Sequence, residues 1–181
     1  MRVFSSSRLL VAAFALASAS ARMECPGSKA FIHAKAMVRS QVFGTCSEVM
    51  AEMEARVAGQ FNKWHDPHNN GTYTLLQSSA SKLEFSRLTG NEKYTDLLTF
   101  TFQRMSGNTC YISGCSESQV FSIRDYSTNF CNLYNLFCNK GEGCHPVLHD
   151  LRNSETSVTS SIGAGKDKDE CLQVRRRLFM L

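Results

Sequence analysis

The spacing of apolar and polar positions changes along the chain from a helical pattern to an alternating one. Thr45-Cys46-Ser47-Glu48 fits a capping box, in which the Thr hydroxyl and the Glu carboxylate each bond the other residue's backbone N–H. Apolar residues then recur at helical spacing and predict an amphipathic helix that ends at Gly59, before the turn at Pro67. Its apolar face carries Cys46, Val49, Met50, Met53, Val57 and Phe61.

Beyond Pro67 the period falls to two, which is typical of half-buried strands. Residues 72–77, 83–88 and 94–103 are rich in Thr, Tyr, Leu and Phe and predict three strands, with a hairpin turn at 89–92. Further strands are predicted around 109–113 and 119–125. Successive short strands of this kind indicate an antiparallel meander.

The remaining segments have weaker patterns. Residues 29–43 are apolar in clumps, which leaves a short helix and a strand open, with the helix favoured. Residues 127–144 mix Asn, Cys and aromatic residues, and residues 153–170 are polar, so both are predicted to be irregular. The predicted fold class is α+β: an N-terminal helix packed on an antiparallel β meander, stapled by disulfides, with a loop-rich C-terminal region.

Length and composition are those of an ordinary globular protein. The chain has 181 residues, of which 43% are hydrophobic and 20% are charged, and this indicates one domain. No apolar run approaches the ~18–20 residues that cross a bilayer, so no integral membrane segment is expected.

The first residues have the three parts of a secretory signal peptide. Arg2 and Arg8 form its positive region, residues 9–17 its short apolar region, and Ala19-Ser20-Ala21 its cleavage site. The expected organisation is a signal peptide at 1–21, a single secreted domain at 22–171, and a basic and apolar tail at 172–181. The mature protein is therefore expected outside the cell.

The charge balance argues against nucleic acid as a partner. The full chain carries a formal charge of +4, and loss of Arg2 and Arg8 with the signal peptide leaves +2. Three positive charges lie together at 175–177, so the body of the domain is close to neutral. A nucleic-acid surface needs basic residues spread over one face.

Cysteine is the most informative residue type in the composition. Eight cysteines follow the cleavage site, and an even number in a secreted chain indicates a disulfide framework. They permit on the order of a hundred pairings, and spacing selects none. No C-x-x-C is present, so neither a thioredoxin-type site nor a zinc ribbon is expected. The predicted disulfide cysteines are Cys25, Cys46, Cys110, Cys115, Cys131, Cys138, Cys144 and Cys171.

Residues 64–73, W-H-D-P-H-N-N-G-T-Y, combine two candidate chemistries. His65 and His68 are separated by two residues, one of which is Asp66, and a second histidine pair lies at His145 and His149, with Asp150 beside it. If the fold joined the two clusters, their imidazoles and carboxylates would suit a borderline metal and metal-assisted hydrolysis. The same string is also turn chemistry, because Pro fixes φ, Asp and Asn bond nearby backbone, and Gly accepts positive φ.

Asn70-Gly71-Thr72 is a sequon for N-glycosylation. Asn70 is therefore the predicted modification site if the chain is exported by a eukaryotic cell. A glycan at Asn70 would place this turn at the protein surface.

No nucleophile or phosphate-binding motif occurs, such as G-x-S-x-G, H-E-x-x-H or a P-loop. Eight paired cysteines would leave no thiol nucleophile. We therefore assign no catalytic residue and no cofactor. Asp96, Asp125 and Glu117 are the carboxylates to inspect for glycoside cleavage, and the twelve phenylalanines either fill the core or line an apolar pocket.

Three strings carry a resemblance: W-H-D-P-H-N-N-G-T-Y, R-L-T-G-N-E-K-Y-T-D and C-S-E-S-Q-V-F-S-I-R-D-Y-S-T-N-F-C-N. Over about residues 25–171 the chain resembles small exported cysteine-rich proteins of microbial eukaryotes, a group that implies no particular activity or site residue. A helix followed by antiparallel strands is also similar to cystatin-like and nuclear transport factor 2-like rolls, an analogy of architecture alone. A cystatin-type inhibitor implies Q-x-V-x-G after its helix, whereas Gln41-Val42-Phe43-Gly44 precedes the helix here.

The leading hypothesis is a secreted, disulfide-stabilised binding or interaction module without catalysis. Its partner would be an unknown extracellular ligand or protein. The alternative hypothesis is a small extracellular hydrolase that uses His65, His68, His149 and Asp150 with a metal. One shared metal would require the two histidine clusters to lie within roughly 10 Å of each other.

Overall fold

A computed structural model of the protein describes residues 23–60 and 62–174. The predicted signal peptide at 1–21 lies outside the described residues, as do Phe61 and residues 175–181 of the predicted tail. The strands are β1 (Lys35–Phe43), β2 (Thr72–Ser79), β3 (Lys82–Leu88), β4 (Thr95–Met105), β5 (Thr109–Ser118) and β6 (Asn153–Ser160). The helices are α1 (Cys46–Ala58) and α2 (Thr128–Phe137), and two short 3-10 turns cover Lys140–Glu142 and Glu170–Leu172.

The helix predicted after Thr45 is confirmed as α1. The Glu48 backbone N–H donates to the Thr45 hydroxyl at 3.2 Å, and the Thr45 N–H donates to the Glu48 carboxylate at 2.7 Å. The capping box therefore satisfies two N–H groups that the first helical turn leaves unpaired. Val49 and Met53 are buried, as their predicted position on the apolar face requires.

Most of the predicted strands are also confirmed. The segments predicted at 72–77, 83–88, 94–103 and 109–113 correspond to β2, β3, β4 and β5, each antiparallel to the next. The Glu92 N–H donates to the Thr89 carbonyl at 2.8 Å and closes the predicted hairpin turn. The strand predicted at 119–125 is wrong, because β5 ends at Ser118 and the chain then leaves the sheet.

The predicted fold class is wrong. The described chain is mostly one antiparallel sheet of six strands in the order β2-β3-β4-β5-β1-β6, and this order is not a meander. The first strand lies inside the sheet, where it pairs with β5 on one side and β6 on the other. The C-terminal region is not loop-rich as predicted, since it supplies α2 and β6.

The strand β1 was missed because its inward positions are small. Ala36, Val38, Ser40 and Val42 are fully buried, whereas the larger Met37 on the other face is only half-buried. The apolar clumps in 35–43 therefore mix both faces, and the alternation that marks a strand is hidden.

Helix α2 was missed because it has no polar face to water. All its residues from Asn129 to Phe137 are buried, so polar and apolar positions do not separate into the two sides of an amphipathic helix. It lies against β1 and β5: the Leu133 side chain comes so close to Gly114 that a Cβ there would lie 3.1 Å from it. The face of the sheet that carries Gly114 is called the inner face below.

All eight predicted disulfide cysteines are paired. Two bonds anchor segments to β5: Cys25–Cys115 holds the N-terminal segment, and Cys46–Cys110 holds the start of α1. Cys131–Cys171 joins α2 to the C-terminal 3-10 turn, and Cys138–Cys144 closes a short loop after α2. Each bond contributes roughly 2–4 kcal/mol, largely by restricting the unfolded chain.

Within the described ranges, no helix has the length and apolar character needed to cross a membrane. The apolar core lies between the inner face of the sheet and the two helices, and its largest fully buried side chains include Phe85, Phe100, Met53 and Leu133. At one end of the sheet this core gives way to buried polar side chains, and the candidate site lies there.

Candidate functional site

A cleft of about 630 Å³ opens at the end of the sheet where β5 finishes. Its walls come from the β3–β4 turn, the loop between β5 and α2, the turn at 66–71 and the C-terminal 3-10 turn. Its volume is in the range of sites that hold a small organic molecule, ~300–1,000 Å³. The side chains around it are largely polar, in contrast to the aromatic core.

The floor of the cleft is made by two residues that lie side by side on adjacent strands. Asp96 on β4 and Ser118 on β5 are partners in the ladder, and both point to the inner face. Asp96 is 1% exposed. Its Oδ2 accepts a hydrogen bond from Asn132 Nδ2 at 2.8 Å, whereas its Oδ1 has no partner among the described residues.

Burial controls the ionisation of Asp96. Loss of solvent raises the pKa of this carboxyl above its ordinary value, and the hydroxyl of Ser118, the amide of Asn132 and the charge of Arg87 oppose the increase only in part. A buried carboxylate with an unpaired oxygen is energetically unfavourable. A donor or a positive charge in the cleft would remove that disadvantage.

Helix α2 carries a row of asparagines that binds three carboxylates. The three side chains are 0–1% exposed, and their three-residue spacing places them on one side of the helix. Asn129 donates to Asp125 at 3.1 Å, Asn132 to Asp96 at 2.8 Å, and Asn135 to Asp66 at 3.1 Å. This asparagine row fixes the position of α2 against the polar end of the sheet.

The turn at 66–71 is organised by a buried ion pair. The Asp66 carboxylate accepts hydrogen bonds from the Gly71 N–H at 2.8 Å and from the Arg87 guanidinium. Burial alone would raise the pKa of Asp66, but the adjacent charge of Arg87 holds it below its usual value. Gly71 is required here because a Cβ would collide with the Arg87 guanidinium. The turn interpretation of the W-H-D-P-H-N-N-G string therefore has a specific structural basis.

His68 joins this turn to α2 and to the C-terminal segment. Its Nδ1 lies 2.7 Å from the Glu170 backbone carbonyl, which only accepts, so Nδ1 carries the hydrogen. Its Nε2 lies 3.0 Å from the Thr128 hydroxyl, within hydrogen-bond distance. An imidazole within hydrogen-bond distance of a hydroxyl resembles the base and nucleophile of a hydrolase.

The surroundings of Thr128 do not complete such a catalytic site. An acyl-transfer site also needs N–H donors for the oxyanion. The two N–H groups nearest the Thr128 side chain in sequence are already used: that of Thr128 donates to the Asp125 carbonyl, and that of Asn129 donates to the Asp125 carboxylate at 3.0 Å. The pair therefore holds the walls of the cleft together.

The other residues predicted as metal ligands lie in separate places. His65 is exposed and lines a small pocket beside His145. The His149 backbone N–H donates to Glu52 on α1 at 2.8 Å, and Asp150 accepts from the Lys140 N–H at 2.9 Å.

Among the described residues, His65, His68, His149 and Asp150 do not bring three ligand atoms within 4.8 Å of one another. The group that meets this distance is Cys25, Cys115 and Glu117, in which both sulfurs already belong to a disulfide. A thiolate ligand is therefore missing from it.

Two of the three carboxylates proposed for glycoside cleavage line the cleft. They are Asp96 and Asp125, but Asp125 accepts from the Asn129 and Gly165 N–H groups and so serves as an anchor for the loops. Glu117 lies on the other face of the sheet, where it accepts from the Gly27 N–H at 2.6 Å. Asn70, the predicted glycosylation site, is exposed on the turn and has φ of 57°.

Sequence reasoning missed the asparagine row and the role of Arg87. The N-x-x-N-x-x-N spacing at 129–135 was the available signal, because three-residue spacing places all three amides on one side of a helix. Arg87 had no such signal, since an arginine in a strand is ordinarily solvated.

No protein-family model, curated protein or solved structure matches this chain.

Proposed function

We propose that this protein is an extracellular, disulfide-stabilised binding module whose cleft takes a small ligand with a positively charged group. The observation that carries the proposal is the buried Asp96 carboxylate at the floor of the cleft, with one oxygen unpaired. Catalysis is not part of the proposed function.

The disulfides support an extracellular location. Four bonds in a chain of this size are consistent with an oxidising compartment, because cytosolic thiols are kept reduced. The signal-like residues 1–21 point the same way. Rigid walls also favour binding, since a preorganised site loses less entropy when the ligand arrives.

The charges around the cleft favour a cation over an anion. Asp96, Asp125 and Glu170 supply three carboxylates, whereas Arg124, which is exposed at the cleft, supplies one guanidinium. A positive group above Asp96 would be stabilised by that charge at low dielectric.

Two aromatic rings at the cleft extend this preference. Tyr94 and Tyr126 both line the cleft and are exposed. Their faces attract cations, and they also offer apolar area to the body of an organic ligand. The favoured ligand class is therefore a small organic ammonium ion and not a bare metal ion.

Metal-assisted hydrolysis is the alternative, and it receives less support. It requires His65, His68, His149 and Asp150 to share an ion. Their ligand atoms do not form a three-membered group in the described part of the chain, and His68 already uses both ring nitrogens in protein contacts.

Three compounds with the same ring and chain length test the proposal. Phenethylamine is cationic, 2-phenylethanol is neutral, and phenylacetate is anionic at neutral pH. We expect calorimetry or NMR titration to show binding of the amine in preference to the alcohol, and no binding of the acid. Equal affinity for the three compounds, or binding of none, would overturn the proposal.

Asp96→Asn is the informative variant, because it removes the charge and keeps the shape. We expect its affinity for phenethylamine to fall by about tenfold or more, as for loss of a charge-assisted hydrogen bond. Glu84→Gln is the matched control: Glu84 is a half-buried residue of β3 whose carboxylate pairs with Lys82. Circular dichroism checks that both variants fold. An unchanged affinity in Asp96→Asn contradicts the proposed site.

A further inference from the structure

Three loops at the cleft end of the sheet expose large apolar side chains. Phe31 is 100% exposed and Ile162 is 97% exposed, and the loop after β5 adds Phe121 and Tyr126. Single exposed apolar residues are ordinary on protein surfaces. A group of them at one place indicates an interaction surface.

Hydrogen bonds show that these loops are neighbours. The Ser122 N–H donates to the Ile32 carbonyl at 3.3 Å, and the Ala34 N–H donates to the Ser122 hydroxyl at 2.9 Å. The Ser161 N–H donates to the Lys35 carbonyl at 2.9 Å.

Gly163 completes the arrangement. It has φ of 84° and lies so close to Ile123 that a Cβ would be 2.9 Å from the Ile123 carbonyl oxygen. The loop at 161–166 is thereby held against the loop after β5. We call the surface formed by residues 31–32, 120–126 and 162 the apolar end.

Each of the three loops also contains an exposed basic residue. These are Lys29, Arg124 and Lys166. Asp125, the acidic residue within the three loops, is buried and bonded to the Gly165 N–H and to Asn129. The exposed Asp167 offsets one of the positive charges, so the surface is mildly basic as well as apolar.

We propose that the apolar end docks the protein on a lipid surface that contains anionic headgroups. The apolar side chains would enter the interface, and the flanking cations would lie at the headgroup level. Charge complementarity selects the anionic surface. Almost complete exposure of Phe31 and Ile162 favours a lipid interface over a protein, because a side chain that projects fully into solvent from a loop can enter the interface of a lipid layer.

Docking in this way would bring the cleft to the lipid surface. Ser122, Arg124 and Tyr126 belong to the loop after β5 and line the cleft as well. The docking surface shares Arg124 and Tyr126 with the cleft, but Phe31, Phe121 and Ile162, on which the docking test rests, do not line the cleft.

Co-sedimentation of the mature protein with lipid vesicles tests this inference. The vesicles contain phosphatidylcholine alone or phosphatidylcholine with phosphatidylserine. We expect binding to the mixed vesicles, weaker binding to phosphatidylcholine, and partial release at high salt. Absence of binding to both kinds of vesicle would overturn the proposal.

A triple variant and a matched control locate the contact. Phe31→Ser, Phe121→Ser and Ile162→Ser together are expected to lower vesicle affinity by about tenfold or more, since each removes an apolar side chain from the interface. The control carries Phe43→Ser, Leu76→Ser and Leu148→Ser, which are also exposed but lie outside the apolar end. We expect its binding to equal that of the unmodified protein, and equal losses in both triple variants would contradict the proposal.

Two further measurements separate lipid from other partners. Lys29→Gln with Lys166→Gln is expected to reduce the preference for phosphatidylserine and to leave binding to phosphatidylcholine unchanged. Sedimentation velocity without lipid gives the oligomeric state. Self-association that the apolar triple variant abolishes, in the absence of vesicle binding, would assign the surface to contact between two copies and overturn lipid docking.

Discussion

Asn132 on α2 donates a hydrogen bond to Asp96 on β4 at 2.8 Å, and it also donates to the Ser116 hydroxyl at 3.1 Å. One buried amide thus joins the helix to two strands directly beneath the cleft. This contact serves both proposed binding and stability, because the Asp96 carboxylate that we propose to bind the ligand also holds α2 in place.

Replacement of Asn132 by Leu is expected to lower the free energy of unfolding by about 2 kcal/mol, because it leaves Asp96 and Ser116 buried without a donor. Chemical denaturation measures the change. Asn62→Leu is the control, since Asn62 is exposed. The double variant Asp96→Leu with Asn132→Leu is expected to recover part of the loss, because it leaves neither polar partner alone. A double variant less stable than Asn132→Leu would contradict this account.

Asp96→Asn is expected to raise stability at neutral pH while it lowers ligand affinity. The pKa of Asp96 is raised by burial. Its ionised form is therefore less favourable in the folded protein than in the unfolded chain. Removing the charge is expected to raise the melting temperature by about 2–4 °C, equivalent to roughly 1 kcal/mol for a domain of this size.

The difference in stability between Asp96→Asn and the unmodified protein is expected to increase with pH. Below the ordinary carboxyl pKa of 3.8, Asp96 is protonated in both the folded and unfolded states, and the two proteins should differ least. As pH rises through the raised folded pKa, the unmodified protein loses stability relative to Asp96→Asn, and the difference then becomes constant. Guanidinium unfolding at a series of pH values measures it. A difference that is constant over the whole range would show that ionisation of Asp96 is not its cause.

Local sequence signals were sufficient for α1 and for strands β2 to β5. A capping box and a run of alternating residues each lie within a short segment of sequence. The secondary structure that they predict therefore depends little on distant parts of the chain. The position of β1 between β5 and β6 is different, because it follows from pairing with residues about seventy or more positions away, such as Ser40 with Ile112. Pairing between distant strands cannot be deduced from the spacing of apolar residues within one segment.

The candidate site was predictable only in fragments. Asp96 and Asp125 were chosen as carboxylates, and they line one cleft. Their separate roles depend on Asn132 for Asp96 and on Gly165 for Asp125, and both contacts are made by tertiary folding. His65 and His68, two neighbours in sequence, separate because His65 faces solvent whereas His68 turns inward to Thr128.

Glycosylation at Asn70 is expected when the protein is secreted from eukaryotic cells. Asn70 is exposed at the turn, and Gly71 and Thr72 complete the sequon. Treatment with peptide N-glycosidase F should lower the mass of the unmodified protein. Thr72→Ala should abolish this shift, whereas Thr72→Ser should keep it, because either hydroxyl completes the sequon. An unshifted mass in the unmodified protein would contradict the prediction.

The disulfide Cys25–Cys115 is expected to contribute more to stability than Cys138–Cys144. It joins residues 90 positions apart, whereas the second pair is separated by 6. The Cys46–Cys110 bond shortens the first loop to an effective length of about 26 residues, so loop-closure entropy gives roughly 3.5 kcal/mol for the first bond and about 2 kcal/mol for the second. Double Cys→Ser variants and denaturant unfolding measure the two contributions.

The control for this comparison is the state of the remaining cysteines. Mass spectrometry after thiol alkylation should find no free thiol in the unmodified protein and none in either double variant, because each variant removes both members of a pair. Under that condition the two losses of stability compare loop lengths directly. A larger loss of stability in the Cys138–Cys144 variant would contradict this prediction. It would mean that this bond acts mainly by holding the folded structure after α2, where Arg56 donates to the Cys138 carbonyl at 2.7 Å, and not by restricting the unfolded chain.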